Sequence, residues 1–425
     1  MKILIVSHYW FPEPSVPQRR WSWLSQVLKD LGHEVYVVAP RTDLNGEHVG
    51  VGRGPANETI FWVPRREVTE SITHRSISQG AIAARSIRCV FKAYRRGQLP
   101  RPDLVVGTVP AIPTTFAASM IARLFAAPYA IDIRDAWPDL LKFGDSWNAG
   151  LGRRSYRERF LVKGPFQLGG KVVSLAMDAV FRKAQLLFST SERFAAVLEE
   201  RFQNGPEVFV IRNVFPGPLE SEAPLKKPAS GDSLKVLYAG KLGRAQGLKN
   251  VLEAAQISLQ SGTPVQLRIV GAGATSEALK AECIALGLGE YIQFHEPVDS
   301  AKLLEYYEWA DTALVHLTGW EPLKMAVPSK TFELMRLGVP ITAVIDGEVA
   351  ELVEELSAGV VVPPEEPRLL AETWARMWNE KWGLSVSETA SNWVLKEREE
   401  IVPMLLMTAL DAARPSGRTG ELHGS

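Results

Sequence analysis

The chain has 425 residues, of which 46% are apolar, and its 48 basic residues are matched by 48 acidic ones. This length predicts about two or three domains with a substantial core, and the charge balance argues against a dedicated nucleic-acid-binding protein. The two cysteines, Cys89 and Cys283, are far apart, which argues against a disulfide framework or a cysteine metal site and favours a reducing cytosol. Because Met1 leads directly into a strand pattern and no apolar run of about 18 residues occurs, we expect neither a signal peptide nor a membrane span.

Strand and helix patterns alternate along the first half of the chain. The β-rich apolar run Lys2–Ser7 is followed by a helical pattern at Arg19–Leu31 and by a second strand at Glu34–Ala39. Three more short buried strands are predicted at Leu104–Gly107, Ala130–Ile133 and Leu186–Thr190. Such alternation is typical of a parallel, doubly wound α/β sheet covered by helices.

A change of composition marks the start of a second domain. Residues 216–232 hold four prolines and two glycines, which is typical of a linker. A second strand and helix series follows, with strands at Lys235–Ala239, Gln266–Val270, Ile292–Phe294, Thr312–Leu317, Ile341–Ile345 and Gly359–Val362. The predicted organisation is a Rossmann-like domain at 1–215, a linker at 216–232, a second Rossmann-like domain at 233–384, a helix at 385–413 packing back on the first domain, and a disordered tail at 414–425. Two such domains are expected to enclose a cleft lined by the carboxyl ends of their strands.

One segment, residues 328–341, places a helix directly after a strand. We expect Ser329 to cap a helix at Lys330–Leu337 and Gly338 to end it. A helix N-terminus at the carboxyl end of a parallel strand favours phosphate, and Lys330 adds a full positive charge there. Glu333, one turn into the helix, is predicted to reach a ribose diol. The alternative is an ordinary α/β helix in which the macrodipole favours a glutamate.

Two more cations lie in a loop after a strand of the same domain, Lys241 and Arg244. Together with Lys330 they are predicted to neutralise a diphosphate, whereas each cation alone would more commonly be a solvated surface charge. No Asp-x-Asp sequence occurs, so we expect no metal and no other cofactor. Gly271 and Gly273 form only half of a dinucleotide fingerprint, and there is no P-loop.

In the first domain, charged residues crowd the end of the strand at Ala130–Ile133. They are Asp132, Arg134, Asp135 and Asp139. Adjacent carboxylates and an arginine at a buried strand end must bind a ligand or pair with one another. In the functional interpretation both residues act on substrates. Asp135 orients or deprotonates an acceptor substrate, and Arg134 holds oxygens of a donor or acceptor substrate. In the structural interpretation they form an ion pair that fixes the loop.

The order of these segments resembles the GT-B glycosyltransferases, and in detail the nucleotide-sugar-using glycosyltransferase family 4. The similarity covers roughly residues 1–410 and rests on the loop His8–Pro17, the run Leu28–Val38 ("LKDLGHEVYVV"), the phosphate-loop segment Tyr238–Lys241, the turn Leu267–Gly273, the base-binding segment Ile292–Pro297 and the helix Pro328–Ile341. The sequences "IRDAWPD", "AQGL" and "PSKTFE" resemble the bacterial subgroup that transfers N-acetylated amino sugars in O-antigen or capsule assembly.

The resemblance implies which residues act and where this chain departs from the family. It implies that domain 1–215 binds the acceptor through a loop holding Ser15, Gln18 and Arg19, where the family has Gly-Gly. It implies that the second domain binds the donor through Lys241, Arg244, Glu296, Ser329, Lys330, Thr331 and Glu333. Met325 stands where the family has the first of two glutamates, Gln246 stands near its usual lysine, and its common active-site histidine is absent.

Two stretches of the first domain combine basic and apolar residues. Residues 74–102 hold seven Lys or Arg and no acid, and residues 153–183 hold eight basic residues against Glu158 and Asp178. Such segments favour an anionic membrane surface, and a lipid-linked acceptor would follow. The alternative is a pair of solvated helix faces.

The sequence therefore predicts a GT-B α/β enzyme that transfers a hexosyl or N-acetylhexosaminyl group. The predicted reaction is metal-independent and retaining, with a nucleotide-sugar donor, a UDP-sugar favoured by the resemblance, and a glycan acceptor that includes lipid-linked glycans. The expected location is the cytoplasm, extending to peripheral attachment at the inner face of the cell membrane, with no nucleic-acid partner. Alternatives are transfer to a soluble small molecule, a GT-B-type sugar-nucleotide 2-epimerase, and a non-enzymatic ligand-binding protein.

Overall fold

The computed structural model describes residues 1–13, 15–42, 50–65, 72–109, 112–136, 165–217, 225 and 231–414. Its contacts divide the described residues into two compact units. Unit 1 comprises those between 1 and 215 and those from 400 onward, and unit 2 comprises those between 216 and 399. Asp139, residues 153–164 of the basic stretch, and nearly all of the predicted tail lie outside the described residues.

Unit 1 contains an eight-stranded sheet. Its strands are β1 Lys2–Val6, β2 Glu34–Thr42, β3 Val51–Arg53, β4 Thr59–Arg65, β5 Leu104–Thr108, β6 Tyr129–Asp132, β7 Leu186–Ser189 and β8 Glu207–Val210. Their order is β3-β4-β2-β1-β5-β6-β7-β8, and every pairing is parallel except that of β3 with β4. Ile3, Leu4 and Ile5 of β1 are completely buried, as expected for a parallel strand with both faces covered.

Among the described residues of unit 1, five helices connect these strands: α1 Val16–Asp30, α2 Ile72–Arg95, α3 Ile112–Phe125, α4 Pro165–Arg182 and α5 Glu192–Arg201. Helix α1 begins three residues before the prediction, because the hydroxyl of Ser15 accepts a hydrogen bond from the Gln18 amide at 3.2 Å and caps it. Helix α2 packs against α3, and α3 packs against α4. Right-handed crossovers place these three helices on one face of the sheet.

Unit 2 contains a six-stranded sheet in which every pairing is parallel. Its strands are β9 Leu234–Ala239, β10 Val265–Val270, β11 Ile292–His295, β12 Thr312–His316, β13 Ile341–Val344 and β14 Gly359–Val362. Their order is β11-β10-β9-β12-β13-β14. The chain moves outward in one direction from β9 and in the other from β12, so a topological switch point lies between these two strands. Ligands of doubly wound proteins bind at such points, beyond the carboxyl ends of the strands.

The helices of unit 2 are α6 Lys249–Gln260, α7 Ser276–Ala285, α8 Ser300–Trp309, α9 Ser329–Leu337, α10 Glu348–Glu355, α11 Pro367–Glu380 and α12 Glu388–Lys396. Helix α12 packs on α9, where the rings of Trp393 and Phe332 stack with centroids 6.0 Å apart.

The helix predicted at 385–413 is helical from 388 to 412 and contains a π-helical segment, Glu397–Ile401. This segment ends just before Pro403, which has no amide hydrogen to donate to the preceding turn. The last helix, α13 Val402–Ala412, belongs to unit 1, where it packs on α1 and β8. The prediction of an α/β fold with doubly wound sheets is confirmed. Among the described helices, none combines the length and apolarity needed to cross a membrane.

Candidate active site

Two glycine-containing loops pack backbone to backbone beside the switch point of unit 2. The amide of Leu242 donates to the carbonyl of Ala272 at 2.9 Å, and the amide of Gly240 donates to Val270 at 2.9 Å. A Cβ atom at Gly271 would overlap the carbonyl oxygen of Gly240, and one at Gly273 would overlap that of Leu242. The glycines are therefore required for this close approach, which holds the loop after β9 in place.

This loop carries two of the predicted cations. Lys241 is exposed, and its carbonyl accepts a hydrogen bond from the Tyr238 hydroxyl at 2.8 Å. Arg244 is half-buried and opens a single 3₁₀ turn, Arg244–Gln246. The side chain of Gln246 accepts from the Gly243 amide at 3.1 Å, so it closes the turn. Both predicted cations thus stand at the carboxyl end of β9.

Lys249, the first residue of α6, lies three positions after Gln246. Its ammonium lies 3.1 Å from Glu282 and 3.9 Å from Glu253 and is exposed. Hydrogen bonding to Glu282 is the main cause that raises the pKa of Lys249. It already has carboxylate partners, so we assign it no role in binding the donor.

Helix α9 begins on the other side of the switch point. The prediction that Ser329 is the N-cap is wrong by one residue: Pro328 occupies that position in an extended conformation, and Ser329 is the first helical residue. No side chain caps the amides of the first turn, and this turn contains no acidic residue. The predicted end of the helix is confirmed, because Gly338 adopts a left-handed conformation with φ of 67°. An uncapped helix N-terminus of this kind suits an anion.

Lys330 points into this region with its ammonium nitrogen buried and without a hydrogen-bond partner. The nitrogen lies 4.0 Å from the centroid of the Tyr238 ring, so a cation–π contact is its only stabilising contact described here. Burial lowers the pKa of Lys330 to about 7. The hydroxyl of the neighbouring Thr331 is also buried without a partner. Buried polar groups are normally satisfied, so these two indicate a position for an oxyanion.

A buried pair beside Lys330 was not identified from the sequence. His316, the last residue of β12, lies 3.1 Å from the amide nitrogen of Asn250 through its Nε2 atom. Burial, and secondarily the charge of Lys330, lower the pKa of His316 to about 3. The imidazole is therefore neutral at physiological pH and does not compete with Lys330 for an anion. The sequence signal for this residue was a histidine at the end of the largely apolar strand β12.

The two predicted donor-binding glutamates lie near the same edge of this sheet. Glu296 is exposed in the loop after β11, and Glu333 is half-buried in the second turn of α9. The structure places them with Lys241, Arg244 and Lys330 at the carboxyl ends of the strands. Within the described part of the chain, no group of three or more His, Cys, Asp or Glu side chains is arranged to hold a metal ion.

In unit 1, the structural interpretation applies to Asp132 at the end of β6. Its carboxylate accepts from Arg20 at 2.8 and 3.3 Å and from the Trp21 indole at 2.7 Å, and both charged side chains are completely buried. Arg20 also donates to the carbonyls of Ile211 and Arg212 and to the Asn213 side chain. The pair therefore joins β6 to α1 and to the segment after β8.

Arg134 and Asp135, the predicted catalytic residues, follow this pair directly. Arg134 is largely buried and donates from Nε to the carbonyl of Val109 at 3.0 Å. Burial lowers the pKa of the Arg134 guanidinium, and the negative charge of Asp135 acts in the opposite direction. Asp135 itself is exposed. Arg134 is thus held in place by the backbone, whereas the side chain of Asp135 is exposed to solvent.

The predicted acceptor loop has structural contacts of its own. Ser15 caps α1, Gln18 donates to the Ser22 hydroxyl at 3.0 Å, and the Arg19 guanidinium lies 4.9 Å from the Phe215 ring centroid. Their acceptor-binding role stays a prediction.

His8, just after β1, was not singled out from the sequence. Burial, followed by the nearby charge of Arg65, lowers the pKa of His8 to about 4, so it is neutral.

Two Rossmann-like sheets, one with a buried lysine and an uncapped helix N-terminus beside its switch point, are typical of the GT-B class of α/β protein. The model of the Glycosyl transferase 4-like domain matches residues 17–213, and that of Glycosyl transferases group 1 matches residues 220–398. The chain belongs to the family-4-type glycosyltransferases of the GT-B fold.

Sequence relatives are distant and are matched over about half of their length. The colanic acid biosynthesis glycosyltransferase WcaL of Escherichia coli K12, itself named as putative, is 24% identical over 46% of this chain and 48% of its own. The probable glycosyltransferase WbjE of Pseudomonas aeruginosa is 24% identical over 47% of this chain and 52% of its own.

Solved structures show the same fold across nearly the whole chain. Sucrose-phosphate synthase of Thermosynechococcus elongatus superposes with a TM-score of 0.69 at 15% identity, covering 96% of this chain and 98% of its own. Anabaena HepE in complex with UDP and glucose gives 0.64 at 15% identity, covering 97% and 100%. The lipopolysaccharide outer core galactosyltransferase WaaB gives 0.59 at 12% identity, covering 97% and 99%.

Proposed function

We propose that this protein transfers a sugar from a nucleotide-sugar donor to a glycan acceptor during the synthesis of a bacterial surface polysaccharide. The observation that carries the proposal is the buried, unpaired ammonium of Lys330 at the uncapped N-terminus of α9. Membership of the family and the names of WcaL, WbjE and WaaB support the polysaccharide context. The subgroup resemblance favours a hexosyl or N-acetylhexosaminyl group.

The donor diphosphate binds unit 2 in this proposal. Its oxygens meet the first-turn amides of α9 at Ser329 and Lys330, together with the buried Lys330 ammonium and the buried Thr331 hydroxyl, which lack partners. Lys241 and Arg244 approach from the loop after β9. Glu333 accepts the ribose hydroxyls, and Glu296 lies where the base enters, beside the Gly271–Gly273 turn. UDP is the favoured nucleotide because HepE, which shares the fold, binds it.

Departure of the diphosphate needs no metal in this proposal. Negative charge grows on the leaving phosphate towards the transition state, so fixed cations lower the barrier more than they strengthen ground-state binding. Lys330 is well placed for this, because its ammonium is already desolvated and gains its counter-ion only when the phosphate arrives.

The acceptor belongs to unit 1 in this proposal. Arg134, fixed by Val109, holds substrate oxygens, and the exposed carboxylate of Asp135 orients or deprotonates the acceptor hydroxyl. Ser15, Gln18 and Arg19 border the same end of β1 and α1. The family resemblance assigns retention of the anomeric configuration without a covalent enzyme intermediate. We extend the acceptor to lipid-linked glycans at the inner face of the cell membrane, with a soluble sugar as the alternative.

A ligand panel tests the donor half of this proposal. Purified protein is heated with nucleoside diphosphates and nucleotide sugars, and a ligand at a hundred times its Kd adds about 2.7 kcal/mol to the unfolding free energy. We expect stabilisation by one nucleotide family. No stabilisation by any of them would contradict the proposed site.

Product analysis separates the transferase from its alternatives. We expect slow hydrolysis of the stabilising nucleotide sugar without an acceptor, and no loss of this activity in EDTA. Interconversion of two nucleotide sugars would instead identify a 2-epimerase, and tight binding with no turnover would favour a ligand-binding protein. Activity that vanishes in EDTA and returns with magnesium or manganese would contradict metal independence.

A further inference from the structure

The helices α2, α3 and α4 form one continuous outer layer on unit 1. Helix α3 lies in the middle and packs on both neighbours. The ring of Tyr94 on α2 meets Phe125 on α3 edge-on, with centroids 4.9 Å apart. The outer faces of the three helices therefore belong to one surface, which we name the α2–α4 surface.

This surface exposes large apolar side chains on all three helices. Their exposed fractions range from 42% to 69%, and the residues are Phe91, Tyr94, Met120, Leu124, Val172 and Leu175. Helix α3 was not part of either basic stretch found in the sequence, yet it supplies Met120 and Leu124 at the centre. Clustered exposed apolar side chains on a soluble unit mark an interaction surface, whereas scattered ones need no explanation.

Positive charge surrounds these apolar residues. The exposed cations are Arg88, Lys92, Arg95 and Arg96 on or next to α2, Arg123 on α3, and Lys171 and Arg182 on α4. Within the three helices the one acidic residue is Asp178, whose carboxylate lies 3.8 Å from Arg201 of α5. The surface ends at α5, which exposes Glu199 and Glu200.

We infer that the α2–α4 surface docks on an anionic lipid bilayer, with the apolar side chains entering the interface and the cations meeting lipid phosphates. The charge pattern selects this occupant. A two-fold contact between two copies would place each cation cluster against an identical one, which is repulsive. The inference deepens the acceptor half of the proposed function, because it brings the protein to the surface where a lipid-linked glycan is presented.

The physical signature is salt-dependent, monotopic binding. A Lys or Arg near an anionic membrane contributes about 1 kcal/mol, which is about fivefold in partitioning, and the interaction is screened beyond about 10 Å at 0.1 M salt. Three such residues together therefore increase partitioning onto the anionic membrane on the order of 100-fold.

The test is sedimentation of the full chain with vesicles of phosphatidylcholine alone or containing phosphatidylglycerol. We expect binding to the anionic vesicles, little to the neutral ones, and release in high salt. The triple variant Arg88→Gln, Lys92→Gln, Arg123→Gln is expected to bind on the order of 100-fold more weakly. A matched control removes three exposed cations of unit 2, Lys302→Gln, Arg368→Gln and Lys396→Gln, and is expected to bind like the wild type.

A second variant tests the apolar part of the surface. Replacing Phe91, Leu124 and Leu175 by serine is expected to reduce anionic-vesicle binding while raising solubility, because all three side chains are exposed. Equal and negligible binding of wild-type protein to both vesicle types would overturn the inference. So would a dimer, measured by light scattering, that this serine variant abolishes.

Nucleotide binding is measured on the same samples to separate the two proposals. The surface variants are expected to keep the thermal shift produced by the donor nucleotide, since they alter only helices of unit 1 and the proposed donor site lies in unit 2. Wild-type protein that binds anionic vesicles but no nucleotide would contradict the proposed function and leave the docking surface standing. Nucleotide binding without vesicle binding would contradict the docking surface and leave the proposed function standing.

Discussion

Two buried charged residues, Asp132 at the end of β6 and Lys330 in the first turn of α9, differ in whether the protein provides a counter-charge. At the end of β6, Asp132 receives three hydrogen bonds from Arg20 and Trp21. At the switch point of unit 2, Lys330 is buried over an aromatic ring with no carboxylate partner. Desolvation penalises both charges, but in the first case the protein supplies the counter-charge and in the second it does not. The difference separates a charge that holds the fold together from one that, in the proposed function, gains its counter-charge from the donor phosphate.

The paired charge should be the more damaging one to remove from the free protein. Asp132→Ala leaves Arg20 buried without its counter-ion, which typically costs about 3–5 kcal/mol. We expect a large fall in the unfolding free energy, measured by urea denaturation. Asp135→Asn, which alters an exposed carboxylate three residues away, serves as the control and should unfold like the wild type. Similar stabilities for the two variants would contradict the structural role of Asp132.

The lone charge should behave in the reverse manner. Lys330→Met removes a buried, unpaired ammonium, so the free protein should be at least as stable as the wild type. Turnover should fall by about 10²–10³, the range found when one group that stabilises transition-state charge is lost. Thermal unfolding and steady-state kinetics on the same preparation check both parts. A strongly destabilised Lys330→Met protein would mean that the ammonium has a structural partner.

Glu333→Gln should act on the donor without acting on the fold. The amide keeps the shape of the side chain but removes charge-assisted hydrogen bonding to the ribose, worth about 1.5–3 kcal/mol. Donor affinity should fall about tenfold or more, measured by calorimetry. The melting temperature of the free protein should stay close to that of the wild type. Unchanged affinity would remove Glu333 from the proposed site.

The pKa of Lys330 gives the comparison a pH dependence. Because that pKa is about 7 in the free protein and a bound phosphate raises it, affinity for a nucleotide sugar should fall up to about tenfold per pH unit above 7. The sugar-linked diphosphate does not itself titrate in this range. Lys330→Arg keeps its charge throughout, so its affinity profile should be flat. A sloping profile in that variant would assign the titration to another group.

The same depressed pKa has a consequence for the stability of the free protein. The unfolded chain binds more protons at this lysine than the folded chain between pH 7 and the ordinary lysine pKa of about 10.4. Burial of the charged lysine therefore lowers the unfolding free energy in full below pH 7. This penalty is relieved as pH rises from 7 towards the ordinary value, so the unfolding free energy rises over that range. Lys330→Met should lack this slope when unfolding is measured across the range.

The sequence predicted the parts of this molecule that depend on local patterns. Alternating strand and helix patterns predicted both sheets, and Gly338 marked the end of α9 correctly. Local rules failed at the start of α9, because a serine after a proline is a plausible cap, yet the extended conformation of Pro328 lets the helix begin at Ser329. The three-residue strand β3 and the seven-residue strand β4 were not predicted.

The pairing of charges was beyond the sequence for a different reason. Arg20 and Asp132 are 112 positions apart, and only the parallel sheet brings α1 and β6 together. The isolation of Lys330 depends likewise on Tyr238 from β9 and His316 from β12. The sequence therefore identified cations at the carboxyl ends of the strands. It did not show that Lys249 has carboxylate partners whereas Lys330 has none among the described residues.

The return of the chain to unit 1 at α13 affects how the protein is made. Leu406 and Leu410 of this helix are buried, and α13 packs on α1 and β8. Roughly 190 residues separate it from Phe215, so at synthesis rates of about 5–20 residues per second the ribosome needs on the order of 10–40 s to deliver it. Throughout that interval the nascent first unit lacks its last helix and exposes the apolar surface that α13 later covers. We therefore expect the unfinished first unit to aggregate more readily than the complete chain.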